Sequence, residues 1–401
     1  MNQALLDDLQ EIADRVPEID SERQYWFIRT NRGKFYDDFY YNNCVGIGYN
    51  LVSLPQVAKA LSHDTNPYGE LVKVILEKYP DDFDNKNIGK PAGLFYRFFE
   101  DMKAGDVVVM PSFGSSKYAF GVVTEGKPFE ADSSSFDDEE IYRKRRPVEW
   151  IVQKEFAELD SKLYQAFRAP QALSTLKPYA SFIDREMYAI YVKDGKTHFR
   201  LDIEALGSVN GNDYFPMGNI LLTLTEEFRE QAGIDESFSE VIVRQNVQSR
   251  GLLEFITKNK MMGIFLVCAT WVGLEGGDYG VNKIGLTFHP KGLIPEMLQF
   301  YQEYHKQQNI NAVLSGKLAG VDAKLTPDVL RILEGQSPAP TDTSALAPAA
   351  AVSADSAITA ASSAKAATAA TASLAKAADP ATLDESAAKI STPLNPTPKK
   401  P

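Results

Sequence analysis

All 43 aromatic residues of this 401-residue chain (22 Phe, 18 Tyr, 3 Trp) lie before Ser337. The stretch from Ser337 to Pro401 contains 22 alanines and not one aromatic. Such an Ala/Pro/Ser/Thr composition cannot bury enough apolar surface to order itself, so residues 336–401 read as a disordered tail. Any packed core is confined to what precedes it, a length that suits two domains at about 100–200 residues each.

Charge and cysteine usage narrow the function classes. The chain carries 42 Lys+Arg against 54 Asp+Glu, a formal net charge of -12. Neutralising a polyanion needs clustered cations, so a surface coated in positive charge is excluded and a local basic patch is not. Two cysteines and four histidines exclude a disulfide framework and a cysteine-rich zinc module. No cofactor is expected. Asp7 and Asp8 stand where a secretory signal needs positive charge. The longest uncharged apolar run, Met261 to Leu274, has fourteen residues. A membrane span needs about 20, so the run predicts a buried core helix in a soluble, cytoplasmic protein with no stable membrane insertion.

Periodicity divides the body. Leu5, Leu6, Leu9 and Ile12 predict an amphipathic N-terminal helix within residues 1–22, docked on the first domain or on a partner. Residues 23–152 alternate β-rich runs with short helices: Tyr25-Trp26-Phe27-Ile28, a helix over 34–42, Cys44 to Tyr49, helices over 57–61, 69–79 and 93–102, a hairpin of 107–111 with 117–124, and a closing strand over 146–152. These elements predict a small curved β-barrel with interposed helices. Residues 153–184 read as a helical connector. Residues 185–335 read as a second α+β domain, opening on a hairpin through Asp194-Gly195 and including the segments 220–224, 238–247 and 283–288 and a helix near 294–306. The fold class is α+β.

The order of motifs in residues 24–152 carries a resemblance. Tyr25-Trp26-Phe27-Ile28-Arg29 leads to Val45-Gly46-Ile47-Gly48-Tyr49, then a Lys86-Asn87-Ile88-Gly89 turn and Tyr96-Arg97-Phe98. Gly105-Asp106-Val107-Val108-Val109, Phe120-Gly121-Val122-Val123-Thr124 and Arg145-Arg146-Pro147-Val148-Glu149-Trp150 follow. This third of the chain resembles the PUA-like, EVE-related domain at the N-terminus of Mrr-type modification-dependent restriction proteins. The resemblance implies a small barrel that binds DNA or RNA and, as in related folds, holds a flipped or modified base in an aromatic pocket. The company such domains keep implies phage defence or restriction. Where the family usually has Trp, this chain has Tyr49.

A base pocket needs two or three exposed aromatics and a basic rim for phosphates. Trp26, Tyr49 and Phe113 are the candidate stacking residues; Arg29, Arg97 and the run Arg143-Lys144-Arg145-Arg146 are the candidate rim. Each has a plain alternative. Trp26, like Trp150, alternates with strand neighbours as a core residue does, and Tyr49 and Phe113 fit pocket and core equally. Residues 143–146 follow the acidic run 137–140, so a self-paired surface competes with a phosphate site. In the second domain Asp202 and Glu204 with Lys193 and Lys196 come near the carboxylate-plus-lysine pattern of a metal-dependent nuclease, but their order is not that of an Mrr-type core, and Glu240 to Gln245 places acid and base on one strand without a matching upstream Asp-Gly motif. The stretch Gly273 to Gly280 lacks the Lys-Ser/Thr of a phosphate loop, and catalytic residues are not identifiable. Three readings stay open: a nucleic-acid-binding protein reading a modified or extruded base, an enzyme with its chemistry in 185–335, and a protein–protein scaffold. A homo-oligomer or protein partner would engage through 185–335.

Overall fold

The computed structural model describes residues 3–83, 86–131, 141–203, 209–234, 241–246, 251–274, 297, 300 and 310–336. The tail from 337 onward, the stretch 283–288 and nearly all of the helix expected near 294–306 lie outside the described residues, as do Glu204 and the acidic run 137–140. What is described is mixed α+β, built on two sheets.

The first sheet holds β2 (Tyr25–Ile28), β3 (Cys44–Ile47), β4 (Val107–Pro111), β5 (Lys117–Val123), β6 (Phe129–Glu130), β7 (Lys144–Glu155) and β8 (Leu173–Thr175), in the order β3-β7-β5-β4-β2-β8 with β6 on β7. Only β2 and β4 run parallel. The twelve-residue β7 pairs its first residues with β3 and the rest with β5, across a register shift at Phe120/Gly121. That split bends the sheet into a curled half-barrel. Gly121 permits the bend: a Cβ there would sit 2.6 Å from Trp150 Cε3 and 2.6 Å from Val148 Cγ1. The sheet is covered on both faces, which explains why β2 and β4 are unbroken apolar runs rather than alternating ones. Trp26, Ile28, Val108 and Met110 face a core completed by α2 (Tyr36–Tyr41), α3 (Leu54–Leu61), α4 (Pro67–Lys78) and α5 (Gly89–Tyr96). Tyr25, Phe27, Val107 and Val109 face a second core made by residues 159–187.

The second sheet holds β1 (Glu18–Ile19), β9 (Ile190–Lys193), β10 (Lys196–Ile203), β11 (Ile242–Asn246), β12 (Gly251–Thr257) and β13 (Ala323–Lys324), in the order β1-β9-β10-β12-β11 with β13 on β10. The Asp194-Gly195 hairpin forms as expected, with φ of 52° and 67° at its two turn residues. One face packs on α8 (Gly211–Ala232) and α9 (Lys260–Leu274), whose residues from Met262 to Gly273 are all buried. Among the described residues no helix is long and apolar enough to cross a membrane.

Three expectations change. The N-terminal helix α1 (Gln3–Arg15) puts Leu5, Leu9 and Ile12 into the second core rather than the first domain, and β1 pairs with β9. The connector 153–184 is not wholly helical. Only α6 (Leu163–Ala166), α7 (Ala180–Met187) and two short 3-10 turns are helical there, while β8 pairs with β2 and covers what would be a bare sheet edge. Residues 220–224 lie inside the 22-residue α8, where Leu221, Leu224 and Phe228 continue the helical stripe.

Candidate functional site

The basic run is the sharpest departure from expectation. Lys144, Arg145 and Arg146 are 1%, 3% and 7% exposed, so they cannot form a phosphate rim. The cause is their strand: β7 is covered on both sides here, and consecutive side chains on opposite faces all end up inside. Each cation is consumed internally. Arg145 makes a bidentate pair with Asp38, Nη1–Oδ1 3.0 Å and Nη2–Oδ2 2.5 Å, and lies over the Phe39 ring. Arg146 Nη1 donates to the carbonyls of Phe98 and Met102, the unpaired acceptors where the helical stretch through 97–101 ends. Lys144 Nζ donates to the carbonyls of Tyr49 (2.9 Å) and Val52 (3.0 Å), and burial lowers its pKa to about 8. Burial likewise pulls the Arg146 guanidinium down and pushes the Cys44 thiol up to about 11.

The three candidate aromatics do not share a pocket. Trp26 is 6% exposed and its Nε1 donates to Asp106 Oδ2 at 2.9 Å, a core position. Tyr49 lies beside the first residue of β7, whereas the loop carrying Phe113 is tied to its last, where Lys117 opposes Glu155. The strand between them is twelve residues long and is bent by the register shift at Phe120/Gly121. Phe113 is 80% exposed. Arg29 belongs to that far end as well: it donates to Ala169 O from Nε and Nη2, and the neighbouring Thr30 Oγ1 donates to Pro111 O.

What does assemble is an aromatic cradle at the Tyr49 turn. Tyr49 packs edge-on to Tyr79 at 5.7 Å, with Phe83 at 5.7 Å and Phe95 at 6.0 Å. Its φ is 59°, the left-handed region, which is uncommon for a bulky residue and costs on the order of 1 kcal/mol or more. Three bonds hold the turn there. Lys144 clamps the Tyr49 carbonyl, Leu51 N donates to Tyr79 Oη at 3.0 Å, and Asn50 Nδ2 donates to Ile141 O at 2.6 Å. Tyr49 stays half-buried, and burial beside Tyr79 raises its phenol pKa. Leu51 at the tip is 62% exposed. Arg143 is also half-buried at this turn; its N donates to Asn50 Oδ1, and its Nε has no hydrogen-bond partner among the described residues. Arg97 Nε is similarly unpartnered.

Of the residues at this turn, Tyr49 and Arg143 are among the sequence candidates, whereas Asn50, Tyr79, Phe83 and the Lys144 clamp carry no signal in the sequence. Tyr79 and Phe83 sit about thirty positions away with no motif around them; only the fold closes that loop onto β3.

Of the second-domain carboxylate set, Glu204 lies outside the described residues, and among the described members Asp202 stands apart from Lys193 and Lys196. Asp202 pairs with Arg200 Nε at 3.0 Å and lies six positions along β10 from Lys196, roughly 20 Å away. No group of three side chains able to hold a metal ion occurs among the described residues.

Fold and site together define a mixed α+β protein in which a curled half-barrel carries an aromatic cradle at one end. Residues 26–170, well under half of the chain, match the family model described as Domain of unknown function (DUF8426). The matched segment covers most of the first sheet and the helices on it and stops short of the second sheet. No curated protein and no solved structure matches the chain.

Proposed function

We propose that residues 24–152 are a PUA-like, nucleic-acid-binding module that reads a modified or extruded base of DNA or RNA, in a cytoplasmic phage-defence or restriction setting, and that the base stacks at Tyr49. The observation that carries this reading is an aromatic residue held at φ 59°, half-exposed at the mouth of an aromatic cluster. Backbone strain of that kind persists only where the surroundings enforce it, and it clusters at binding sites. Extruding a base costs a few kcal/mol, and one stacking contact returns about 1–3 kcal/mol. The balance favours bases that are already unpaired or modified.

Three buried members of the basic run leave Arg143 as its one cation at this site. Few phosphates are then neutralised, and the reading predicts weak salt dependence, a log–log slope on the order of -1 to -2. The test is titration of the full-length chain with labelled single- and double-stranded DNA and RNA, with and without modified bases, at two salt concentrations. Selective binding that Tyr49→Ala weakens about tenfold, with unchanged unfolding, supports the reading. Absence of saturable binding to all of them overturns it.

A protein or homo-oligomer partner engaging through 185–335 belongs to the same proposal. β11 is the edge strand of the second sheet, and Ile242 and Val243 on it are exposed. Sedimentation of the full chain beside Val243→Glu tests it; identical monomer profiles for both would remove the homo-oligomer.

A further inference from the structure

The second sheet holds a site that motif reading passes over. Along β10 every second residue is titratable: Lys196, His198, Arg200 and Asp202. The residues between them, Thr197, Phe199, Leu201 and Ile203, are buried on the helix-covered side. Period two therefore gathers the charged set on the opposite face. Pairing register extends that face sideways. Tyr191 and Ile256 flank His198, while Glu254 lies between Arg200 and Arg244. Above this face, α7 and the segment before it leave a cavity of about 400 Å³, a volume suited to a small organic ligand.

The cavity is cationic in a chain whose net charge is -12. Lys177, Lys193, Lys196 and Arg244 line it against Asp184 and Asp194. Lys193 is already neutralised by the buried Asp184 at 2.5 Å. The other three are not. Lys177 Nζ donates only to the backbone carbonyls of Ser21 and Arg23. Among the described residues the nearest carboxylate to Arg244 is Glu254, whose Oε2 lies 3.8 Å away and 3.6 Å from Arg185 as well. Lys196 is exposed and has no carboxylate partner among the described residues. Among the described residues Asp194 and the shared Glu254 oppose these three charges.

At the floor stands a histidine with one nitrogen committed. Glu254 is 1% exposed and its Oε1 lies 2.9 Å from His198 Nδ1. With Nδ1 engaged by the carboxylate, Nε2 is the free position. The Tyr191 ring stacks on the imidazole, centroids 4.6 Å apart and planes 5° from parallel, which fixes its orientation. His198 Nε2 has no hydrogen-bond partner among the described residues.

We propose that this cleft binds a phosphate-bearing ligand of about mononucleotide size, its phosphate held by Lys177, Lys196 and Arg244 with His198 Nε2 hydrogen-bonded to a phosphate oxygen. Three convergent cations with a fixed imidazole suit the spread charge of a phosphate better than a single carboxylate, which one arginine would satisfy. Ile242, exposed on the neighbouring strand, supplies the apolar wall that a base or sugar needs. The site shares no residue with the Tyr49 cradle, so either can fail alone.

Calorimetric titration of the full chain with inorganic phosphate, adenosine 5′-monophosphate and a short 5′-phosphorylated DNA strand separates the sources of the phosphate. Saturable binding of at least one is expected. The double charge reversal Lys196→Glu/Arg244→Glu should weaken it at least about tenfold. Both side chains are exposed, so the fold survives the change. The reversal Lys59→Glu/Lys127→Glu, two exposed lysines outside the cleft, should leave it unchanged. In nitrogen-edited spectra the His198 imidazole, assigned by its loss in His198→Gln, should shift on adding the bound probe. No saturable binding of the three probes, an equal loss in the control pair, or a stationary His198 signal would each overturn the assignment.

Discussion

The two sheets treat the same residue types in opposite ways. In β7 of the first sheet, Lys144, Arg145 and Arg146 are consecutive, and all three are buried and bonded to backbone carbonyls or Asp38. In β10 of the second, Lys196, His198, Arg200 and Asp202 alternate with buried residues and share one face, from which Lys196 and His198 line a cavity. The difference is coverage. A sheet packed on both faces has no outside for a charge to reach, so cations there become clamps for turns and helix ends. In the second sheet α7 covers only part of the face opposite the helices, burying Arg200 and Glu254 while Lys196 and Arg244 stay exposed, and a period-two pattern sorts charge onto that face. A dense basic run is therefore poor evidence for phosphate binding when its strand closes a doubly covered sheet.

That comparison can be broken by mutation. Arg145→Ala strands Asp38 in a buried site and should cost about 3–5 kcal/mol in urea unfolding of the full chain. A change below 1 kcal/mol would mean the pair is solvated and the contrast false. Glu254→Ala tests the converse, the one deeply buried acid on the open face of the second sheet, and should cost about 2–3 kcal/mol because His198 and Arg185 lose their partner.

Lys144 sharpens the contrast through pH. Its folded pKa is about 8, against the ordinary lysine value of 10.5. Between those values the unfolded chain binds more protons than the folded one, so stability rises with pH there. The wild type should gain on the order of 1–3 kcal/mol relative to Lys144→Met from pH 7.5 to 10, and be flat against it below about pH 7. Parallel unfolding curves across that window would place the ammonium in water.

Two smaller effects complete the series. With burial raising both thiol pKa values, Cys44 to about 11, neither cysteine should react with a thiol reagent at pH 7.5 until the chain unfolds. Rapid native labelling of either would show an opening the packed cores do not allow. Arg244→Ala, on a side chain 53% exposed, should change stability by no more than about 0.5 kcal/mol. A larger loss would make it a structural cation like Arg145.

Much of the architecture was legible because short-range physics encodes it. The 107–111/117–124 hairpin, the Asp194-Gly195 turn and the buried helix at 261–274 all formed where apolar runs and turn residues placed them. β8 was not legible: Leu173-Ser174-Thr175 has no strand pattern of its own and pairs because β2 has an open edge. The placement of α1 was hidden for a related reason, since its apolar stripe says that it docks and not on what.

The sequence by itself determined where a core can exist and which runs become most of the strands and helices. Tertiary structure alone decided that Lys144 to Arg146 are internal clamps, that Phe113 and Tyr49 stand at opposite ends of β7, and that Glu254 lies under His198. The reason is that local pattern fixes a residue's direction from its own strand. Whether that direction leads to water depends on what other segments, distant in the chain, pack above it.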